Sequence, residues 1–407
     1  MLFKSPTKPL ALPEFIALMA LMTALVALAI DAMLPALAEI GQELKVENPN
    51  HVQLIIGYLF LGLGVGQIGF GPLSDSIGRK PTIYIGLIIY LFGSLMAMFA
   101  KDFDTMLMGR LLQGLGLAGP RVVTMAIVRD LYKGREMARV MSFMMTIFIL
   151  VPALAPSLGQ LILFVADWRM IFSSFVILGI VVWVWLGVRQ PETLSKENRR
   201  RFHIVDIAKG FAYVLKHPTA IGYTAAAGSI SGAFVAFLAT SQQILEIQLG
   251  GGKYFPLLFA CLALCLGAAS VVNARIVVRY GMRAISRNAM LCIMLAGSLY
   301  SIAVYILGEP SLLWFMLFLG FLLFCVGMVF GNMSSVAMEP LGKLAGIGAA
   351  VVGSVSTLIS FALGAWIGSF YNGSVFPLVL SFAMCSALAL LIITIADRLE
   401  PPQEAQH

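Results

Sequence analysis

Charge, histidine and clustered cysteine are scarce in this sequence, and each shortage excludes a class of protein. Only 12% of the 407 residues are charged, about half of what a soluble domain carries, so the chain could not cover the surface of a soluble fold. The 4 histidines lie in polar segments and the 5 cysteines in apolar runs, without the paired spacing of a metal site. No G-x-x-x-x-G-K-[ST] run is present to hold nucleotide phosphates. We therefore expect no metal, no disulfide and no cofactor.

Long apolar runs occupy most of the chain instead. Hydrophobic residues make up 60% of it, and the mean hydropathy is +0.93. Runs of about 18 or more apolar residues are typical of helices that span a membrane. The sequence thus predicts an all-α membrane protein with about twelve transmembrane helices. They are expected near residues 13–38, 52–74, 81–100, 104–130, 138–164, 168–188, 218–247, 253–280, 287–307, 311–337, 342–370 and 374–396.

Lysine and arginine are distributed unevenly between alternate loops. With the N-terminus in the cytoplasm, the cytoplasmic segments hold 21 of the 27 basic residues and the opposite side holds 4. Positive residues accumulate on the cytoplasmic side of membrane proteins, so both termini are predicted to be cytoplasmic. These basic loops account for the net charge of +7 without nucleic acid as a partner. They also make anionic membrane lipids an expected partner.

The longest polar stretch, residues 189–217, separates six predicted spans from six. Such a layout is common in transporters that arose by internal duplication. We therefore predict two six-helix bundles, residues 1–190 and 218–407, joined by a cytoplasmic linker over 191–217.

A short polar hairpin, GPLSDSIGRKP at residues 71–81, interrupts two of the apolar runs. Its order of small and charged residues resembles the loop motif of the major facilitator superfamily, which lies between the second and third helices. The matching residues are Gly71, Asp75, Gly78, Arg79 and Lys80. Glycine at position 78 permits the tight turn. The resemblance implies that Asp75 faces the start of the eleventh helix and takes part in a latch between the two halves.

The second half contains a weaker echo of this hairpin, NARIVVRYGMRAISR. Gly281 and Arg283 correspond to Gly78 and Arg79, but no acid stands where Asp75 stands in the first half. The position of the echo supports the predicted duplication.

Two further stretches resemble motifs of drug:proton antiporters in the same superfamily. RLLQGLGLAGP in the fourth span carries Arg110 and Gln113, and VPALAPSLGQ in the fifth carries Pro156 and Gly159, with fewer glycines than the motif usually has. With IDAMLPALAEI, AIVRDLY and MEPLGKLAGIGAAVVGS, they make the chain similar to the Bcr/CflA multidrug efflux subfamily. The resemblance implies the major facilitator fold. It further implies a monomeric, proton-coupled exporter of small molecules that works by alternating access in the cell inner membrane.

Two other functions stay open. Efflux dedicated to one metabolite, such as a sugar, a siderophore or an amino acid derivative, fits the same features. A membrane sensor or enzyme is less favoured, because the sequence has no soluble catalytic domain and no histidine-rich or paired-acid cluster.

Three ionisable residues stand out because they lie far from the ends of predicted spans, where charge is costly and by default marks function. Asp31 and Arg110 reach similar depth in helices of opposite direction, so we predict that they serve proton coupling, with Asp31 as the proton carrier. A purely structural ion pair is the alternative. Arg121 lies about three helical turns beyond Arg110 and on the same face. It is predicted either to bind an anionic group of the substrate or to join a hydrogen-bond network.

Polar residues in the spans are candidates for lining the substrate cavity together with Arg121. They are Tyr58, Gln113, Gln243 and Asn332. For each of them, a satisfied hydrogen bond between helices is the alternative. Because the deep charges sum to about +1, neutral, zwitterionic and anionic substrates are expected at least as much as cations.

Overall fold

The computed structural model describes residues 10–199 and 204–400, and over these residues it is helical without β-strands. The chain divides into two compact units, Met1–His203 with Leu238–Leu264 and Ile204–Phe237 with Cys265–His407. The helices that lie wholly in the first unit are α1 (Leu12–Asp31), α2 (Leu37–Glu43), α3 (Leu54–Ile77), α4 (Arg79–Met98), α5 (Phe103–Leu131), α6 (Gly134–Val165) and α7 (Arg169–Arg189).

The other helices complete the chain. Helices α9 and α10 have residues in both units, and a π-helical segment, Gln242–Gln248, lies between them. The bounds are α8 (Ile204–Lys216), α9 (Pro218–Ser241), α10 (Phe255–Tyr280), α11 (Met282–Leu307), α12 (Leu312–Met338), α13 (Ala345–Ser369) and α14 (Phe376–Leu399).

The predicted all-α membrane architecture is confirmed. Within the described residues, 11 helical segments are long and apolar enough to cross a membrane. The predicted fifth span falls in α6, where Leu150–Val165 forms a shorter apolar stretch. The predicted bundle boundaries and the cytoplasmic position of the termini stay predictions, and residues 200–203 of the predicted linker lie outside the described residues.

The first predicted span is one apolar segment but not one uninterrupted helix. Helix α1 ends at Asp31, a single 3₁₀ turn covers Leu34–Ala36, and α2 begins at Leu37. Pro35 explains the break, because proline has no N–H to donate to the carbonyl four residues earlier and its ring collides with that turn. The break places Asp31 at a helix end rather than inside a regular helix.

Helices α3 and α5 of the first unit pack with their backbones in contact. A Cβ atom added at Gly62 would overlap the carbonyl oxygen of Leu111, and one at Gly114 would overlap that of Leu59. Small residues allow such close approach between membrane helices, where dispersion rather than hydrophobic burial drives association. This packing brings the buried face of α5, which carries Arg110, against its neighbours.

Candidate functional site

The hairpin predicted from GPLSDSIGRKP is a turn of one residue between α3 and α4. Gly78 has φ +110°, a conformation that is essentially restricted to glycine. Arg79 follows it and is buried, with 4% of its surface exposed. Its Nη1 donates to Asp75, and its Nε donates to Asp130 Oδ2 at 2.9 Å. Asp75, Arg79 and Asp130 therefore form a charge cluster within the first unit.

A carboxylate from beyond α7 closes the same turn. Glu192 accepts the backbone N–H of Arg79 at 2.9 Å and that of Lys80 at 3.0 Å. These are two of the N–H groups that a helix leaves unsatisfied at its start, and a negative charge there also interacts favourably with the helix dipole. The buried Lys80 ammonium donates to the carbonyl of Gly187 at 3.3 Å. Gly71, another predicted latch residue, lies beside the charge cluster, where its carbonyl accepts a hydrogen bond from the Ser74 hydroxyl at 2.8 Å.

Asp31 is 4% exposed at the end of α1. Its carboxylate makes neither a hydrogen bond nor an ion pair with any residue that the structure describes. A buried carboxylate without a partner is costly in its charged form. Asp31 is thus the deep acid whose charge the described residues leave uncompensated.

Arg110 is fully buried and is held by backbone carbonyls rather than by Asp31. Its Nε donates to the carbonyl of Ile55 at 3.1 Å, its Nη2 to that of Ala29 at 2.9 Å, and its Nη1 to Gln113. The guanidinium therefore contacts α1 two residues before Asp31 without pairing with that residue. The assignment of both residues to proton coupling stays a prediction.

Gln113 and Asn332 lie in interhelical hydrogen bonds, the alternative named for them above. Gln113 links Arg110 to the Ser94 hydroxyl, to which its Nε2 donates at 2.9 Å. Asn332 of α12 and Asn273 of α10 exchange amide hydrogen bonds of 2.8 and 3.1 Å. Both predicted cavity residues are buried. A role for either in binding substrate stays a prediction.

The predicted motif of the fifth span packs against the break in α1. Pro156 is buried in α6. A Cβ atom at Gly159 would overlap the carbonyl oxygen of Ala32, the residue after Asp31. The glycine therefore lets the α6 backbone contact the chain where α1 ends.

Arg121 differs from Arg110 although both lie on the same face of α5. Its side chain is exposed and makes no hydrogen bond or ion pair within the described part of the chain. Tyr58, on α3, is partly buried. A cation without a protein partner in the middle of an apolar helix is available to an external group.

Comparison with known proteins decides the family. The model of the Major Facilitator Superfamily matches residues 19–365. The chain belongs to the Major Facilitator Superfamily. It is accordingly a multi-pass membrane transporter of small molecules and not an enzyme.

Relatives within the superfamily include proteins named for drug resistance. A bicyclomycin resistance protein homolog of Haemophilus influenzae is 27% identical over 388 residues, which cover 93% of this chain and 94% of that protein. Multidrug resistance protein D of Escherichia coli is 26% identical over 347 residues, which cover 81% of this chain and 82% of that protein. The predicted similarity to the Bcr/CflA group is confirmed.

A solved structure supports the superfamily fold. The xylose transporter XylE of Escherichia coli, in a partially occluded inward-open conformation, matches with a TM-score of 0.76 and 13% identity. The match covers 97% of this chain and 99% of that one. At this identity the likeness concerns the fold alone.

In this superfamily member, sequence reasoning missed three residues with clear structural roles. Asp130 and Glu192 bind the hairpin from distant elements, and the only local sign was an acid at the end of AIVRDLY and another just after α7. Gln242 is the third of these residues, and its polar side chain in an apolar run was its only signal in the sequence. Its Nε2 donates to the Pro35 carbonyl at 2.7 Å, and its Oε1 accepts the N–H of Ala38 at 3.1 Å.

The Gln242 amide thus satisfies backbone groups freed by the break in α1. A broken helix at membrane depth persists where neighbouring groups supply the missing hydrogen bonds. The predicted cavity residue Gln243 lies beside it, accepting from Gln53 Nε2 at 2.9 Å and donating to the Pro49 carbonyl at 3.3 Å. Both glutamines therefore bind the segment that follows α1.

Proposed function

We propose that this transporter is a proton-coupled secondary active exporter of drug-like small molecules in the cell inner membrane. It works by alternating access, as a monomer with both termini in the cytoplasm. The observation that carries the proposal is the buried Asp31 carboxylate at the break of α1, which has no partner among the described residues, in a chain whose relatives are named for drug resistance.

Proton coupling follows from the surroundings of Asp31. A carboxylate in a medium of low dielectric constant is costly when it is charged, so its proton occupancy depends on what its surroundings supply. Arg110 donates to the Ala29 carbonyl before Asp31, and the α6 backbone at Gly159 lies against Ala32 after it. A small movement of α1 between these contacts would change the access of the carboxyl to water. Asp31 therefore takes up and releases a proton during the transport cycle.

Substrate selection involves Arg121. Keeping an arginine in the middle of a membrane helix costs about 2.5–3.5 kcal/mol, and no described residue pairs with this one. An anionic group or a strong hydrogen-bond acceptor on the substrate would offset this cost. The exporter therefore handles neutral, zwitterionic and anionic compounds better than cations.

The hairpin cluster of the first unit sets the balance between conformations. Asp75 is the most exposed member, with 39% of its side chain accessible, and Arg79 binds it on one side only. The second carboxylate oxygen of Asp75 can therefore accept a hydrogen bond from a helix N-terminus or a basic group of the second bundle in one conformation of the cycle. Basic loops bound by anionic lipid keep this face in the cytoplasm.

The test measures substrate-driven proton movement in proteoliposomes with the Asp31→Asn variant. A strain lacking the protein is first compared with one expressing it across a panel of antibiotics of differing charge, including bicyclomycin. The compound with the largest change in resistance is then used in the transport assay. We expect Asp31→Asn to abolish proton movement and uphill efflux.

Glu14→Gln is the matched control, because Glu14 is also an acid of α1 but pairs with Arg189 near the start of that helix. It should transport as the parent does. Proton movement by Asp31→Asn at the parent rate would remove Asp31 from the mechanism. Unchanged resistance across the whole panel would refute the assignment as a drug exporter.

A further inference from the structure

The short helix α8 of the second unit contacts the beginnings of two membrane spans. Only His217 separates its last residue from the span Pro218–Gln248. At the middle of α8, a Cβ atom added at Gly210 would lie 2.4 Å from Ile347 Cγ2. Ile347 is the second residue of the span Gly346–Ser369. The helix is therefore held at two points along its length, each at the start of a span.

These two contacts define the direction of α8 relative to the membrane. The chain crosses the membrane four times between the two starts, and because four is an even number both starts lie on the same side. Gly210 and Lys216 are about 9 Å apart along the helix, yet both lie at the depth where a span begins. The axis of α8 therefore runs along the membrane surface and not away from it.

Opposite faces of α8 have different surroundings. One face packs on α13, and it carries Gly210 and Val214, of which Val214 is 1% exposed. The other face carries an exposed apolar stripe of four residues at spacings that align them along a helix. The stripe consists of Val205, Ala208, Ala212 and Leu215. An apolar stripe on a helix that lies at the membrane surface is stabilised when it faces acyl chains instead of water.

Basic residues border this stripe. Lys209 and Lys216 are seven residues apart along one edge of it, and both are exposed. Neither forms an ion pair with a residue that the structure describes. The single acid in the sequence of α8 is Asp206. Tyr213 is 46% exposed, and its amphipathic ring suits the headgroup region. Anionic headgroups at this level would supply the counter-charge that the two lysines lack.

We propose that α8 is a docking surface for anionic membrane lipid. The apolar stripe packs on acyl chains just below the headgroups, and Lys209 and Lys216 bind lipid phosphates. Lipid bound in this way restrains α8 and, through the contact at Gly210, the beginning of α13. The inference assigns lipid binding to one helix, whereas the basic loops in general were expected to contact lipid. It goes beyond the proposed exporter, because it requires none of the residues assigned to protons or substrate.

The test places the photoreactive amino acid p-benzoylphenylalanine at Ala212 of the full-length protein, in liposomes of equal amounts of phosphatidylethanolamine and phosphatidylglycerol. After irradiation, lipid adducts are quantified by mass spectrometry of the intact protein. Leu299, 67% exposed on the span of α11, is the position for the positive control. Glu197, exposed in the segment before α8, is the position for the negative control. We expect Ala212 to approach the yield of Leu299 and to exceed that of Glu197 about fivefold.

The headgroups of the adducts test the role of the lysines. At Ala212, phosphatidylglycerol adducts should exceed phosphatidylethanolamine adducts about fivefold, the preference that one lysine near an anionic surface provides. Lys209→Gln combined with Lys216→Gln should lower this ratio at least about twofold. Lys101→Gln, at an exposed lysine of another loop, should leave the ratio unchanged.

A second probe position on the stripe, Val205, keeps the test decisive if the Ala212 variant does not fold. Lipid adducts at neither stripe position, with adducts present at Leu299, would overturn the docking surface. Lipid adducts whose headgroup ratio is the same in the parent and in the double lysine variant would overturn the assignment to anionic lipid.

Discussion

The α3–α4 hairpin turns in the first unit of this transporter and the α10–α11 hairpin in the second. The two turns have a similar backbone conformation but differ in how their charged residues are bound. Gly78 and Gly281 have φ of +110° and +77°, and each is followed within two residues by an arginine that binds several carboxylates. Arg79 has 5% of its side chain exposed, while Arg283 has 36%. The same turn therefore supports a buried cluster in one unit and a partly solvated one in the other.

The acids of the two clusters occupy corresponding places. Asp130 at the end of α5 matches Glu339 at the end of α12, and Glu192 after α7 matches Glu400 after α14. One difference lies in the helix before each turn, because α3 contributes Asp75 and α10 contributes no acid. Another is Asp397 of α14, which also pairs with Arg283. The comparison teaches that the duplicated part of the motif is the turn with its distant acids. The local acid belongs to the first unit.

Removing the two arginines should expose the largest difference between the hairpins. We expect Arg79→Ala to lower the free energy of unfolding by about 3 kcal/mol, because two carboxylates lose a buried partner. Arg283→Ala should cost about 1 kcal/mol or less, since 36% of the Arg283 side chain is exposed and exposed ion pairs contribute little. Unfolding of both variants in mixed micelles measures this. Equal losses would mean that burial does not separate the two clusters.

Alanine at the two glycines should give the next largest difference. Both turns have φ and ψ values essentially restricted to glycine, so each substitution costs about 1–3 kcal/mol. At Gly78 a Cβ would also lie 2.8 Å from Glu192 Oε2 and 3.0 Å from Arg199 Nη2, whereas a Cβ at Gly281 would have no described atom within 4 Å. We expect Gly78→Ala to be worse by about 1 kcal/mol for this steric reason. A larger loss for Gly281→Ala would contradict the geometry.

Replacing the acids that follow α7 and α14 tests a smaller effect. Glu192 accepts two backbone N–H groups at the start of α4, so Glu192→Ala should cost about 1 kcal/mol, as for a lost helix cap. Glu400 binds the Arg283 side chain instead, and Glu400→Ala should cost about 0.5 kcal/mol. The rate of amide hydrogen exchange at the first turn of α4 should rise in Glu192→Ala. As the control, the exchange rate at the first turn of α11 should not rise in Glu400→Ala.

The smallest expected effect is a dependence of stability on pH at the second hairpin. Arg283 donates to the Glu400 carboxylate at 2.7 Å and holds the pKa of Glu400 below its ordinary value of 4.5. A carboxyl whose pKa is lower in the folded state than in the unfolded state stabilises the folded protein at pH values above the unfolded-state pKa. This stabilisation is lost as the pH falls through the folded-state pKa. The free energy of unfolding of Glu400→Gln should therefore be lower than that of the parent at pH 7, and the difference should become smaller below about pH 4.5. A constant deficit from pH 7 to pH 3 would show that the pair contributes nothing.

Sequence alone determined the fold class and the turns. Twelve apolar runs follow from the requirement that a backbone in lipid satisfies its own hydrogen bonds, which only helices of sufficient length do here. The surplus of basic residues in alternate loops has a separate cause, the retention of positive charge on the cytoplasmic side. Gly78 and Gly281 could be read as turn residues because their conformational freedom is local. Pro35 carried a local signal as well, although the break that it causes beside Asp31 was not predicted.

Tertiary structure decided which groups meet. Arg110 and Asp31 looked like partners by depth, yet carbonyls of Ala29 and Ile55 hold the guanidinium, because the close packing of α5 on α1 and α3 brings backbone rather than side chain within reach. Gln242 binds Pro35 across 207 positions of the chain. Helical periodicity reports which face of a helix is buried, but it contains no information on the neighbour that buries it. The partners of a charge or an amide were therefore determined only when the helices packed together.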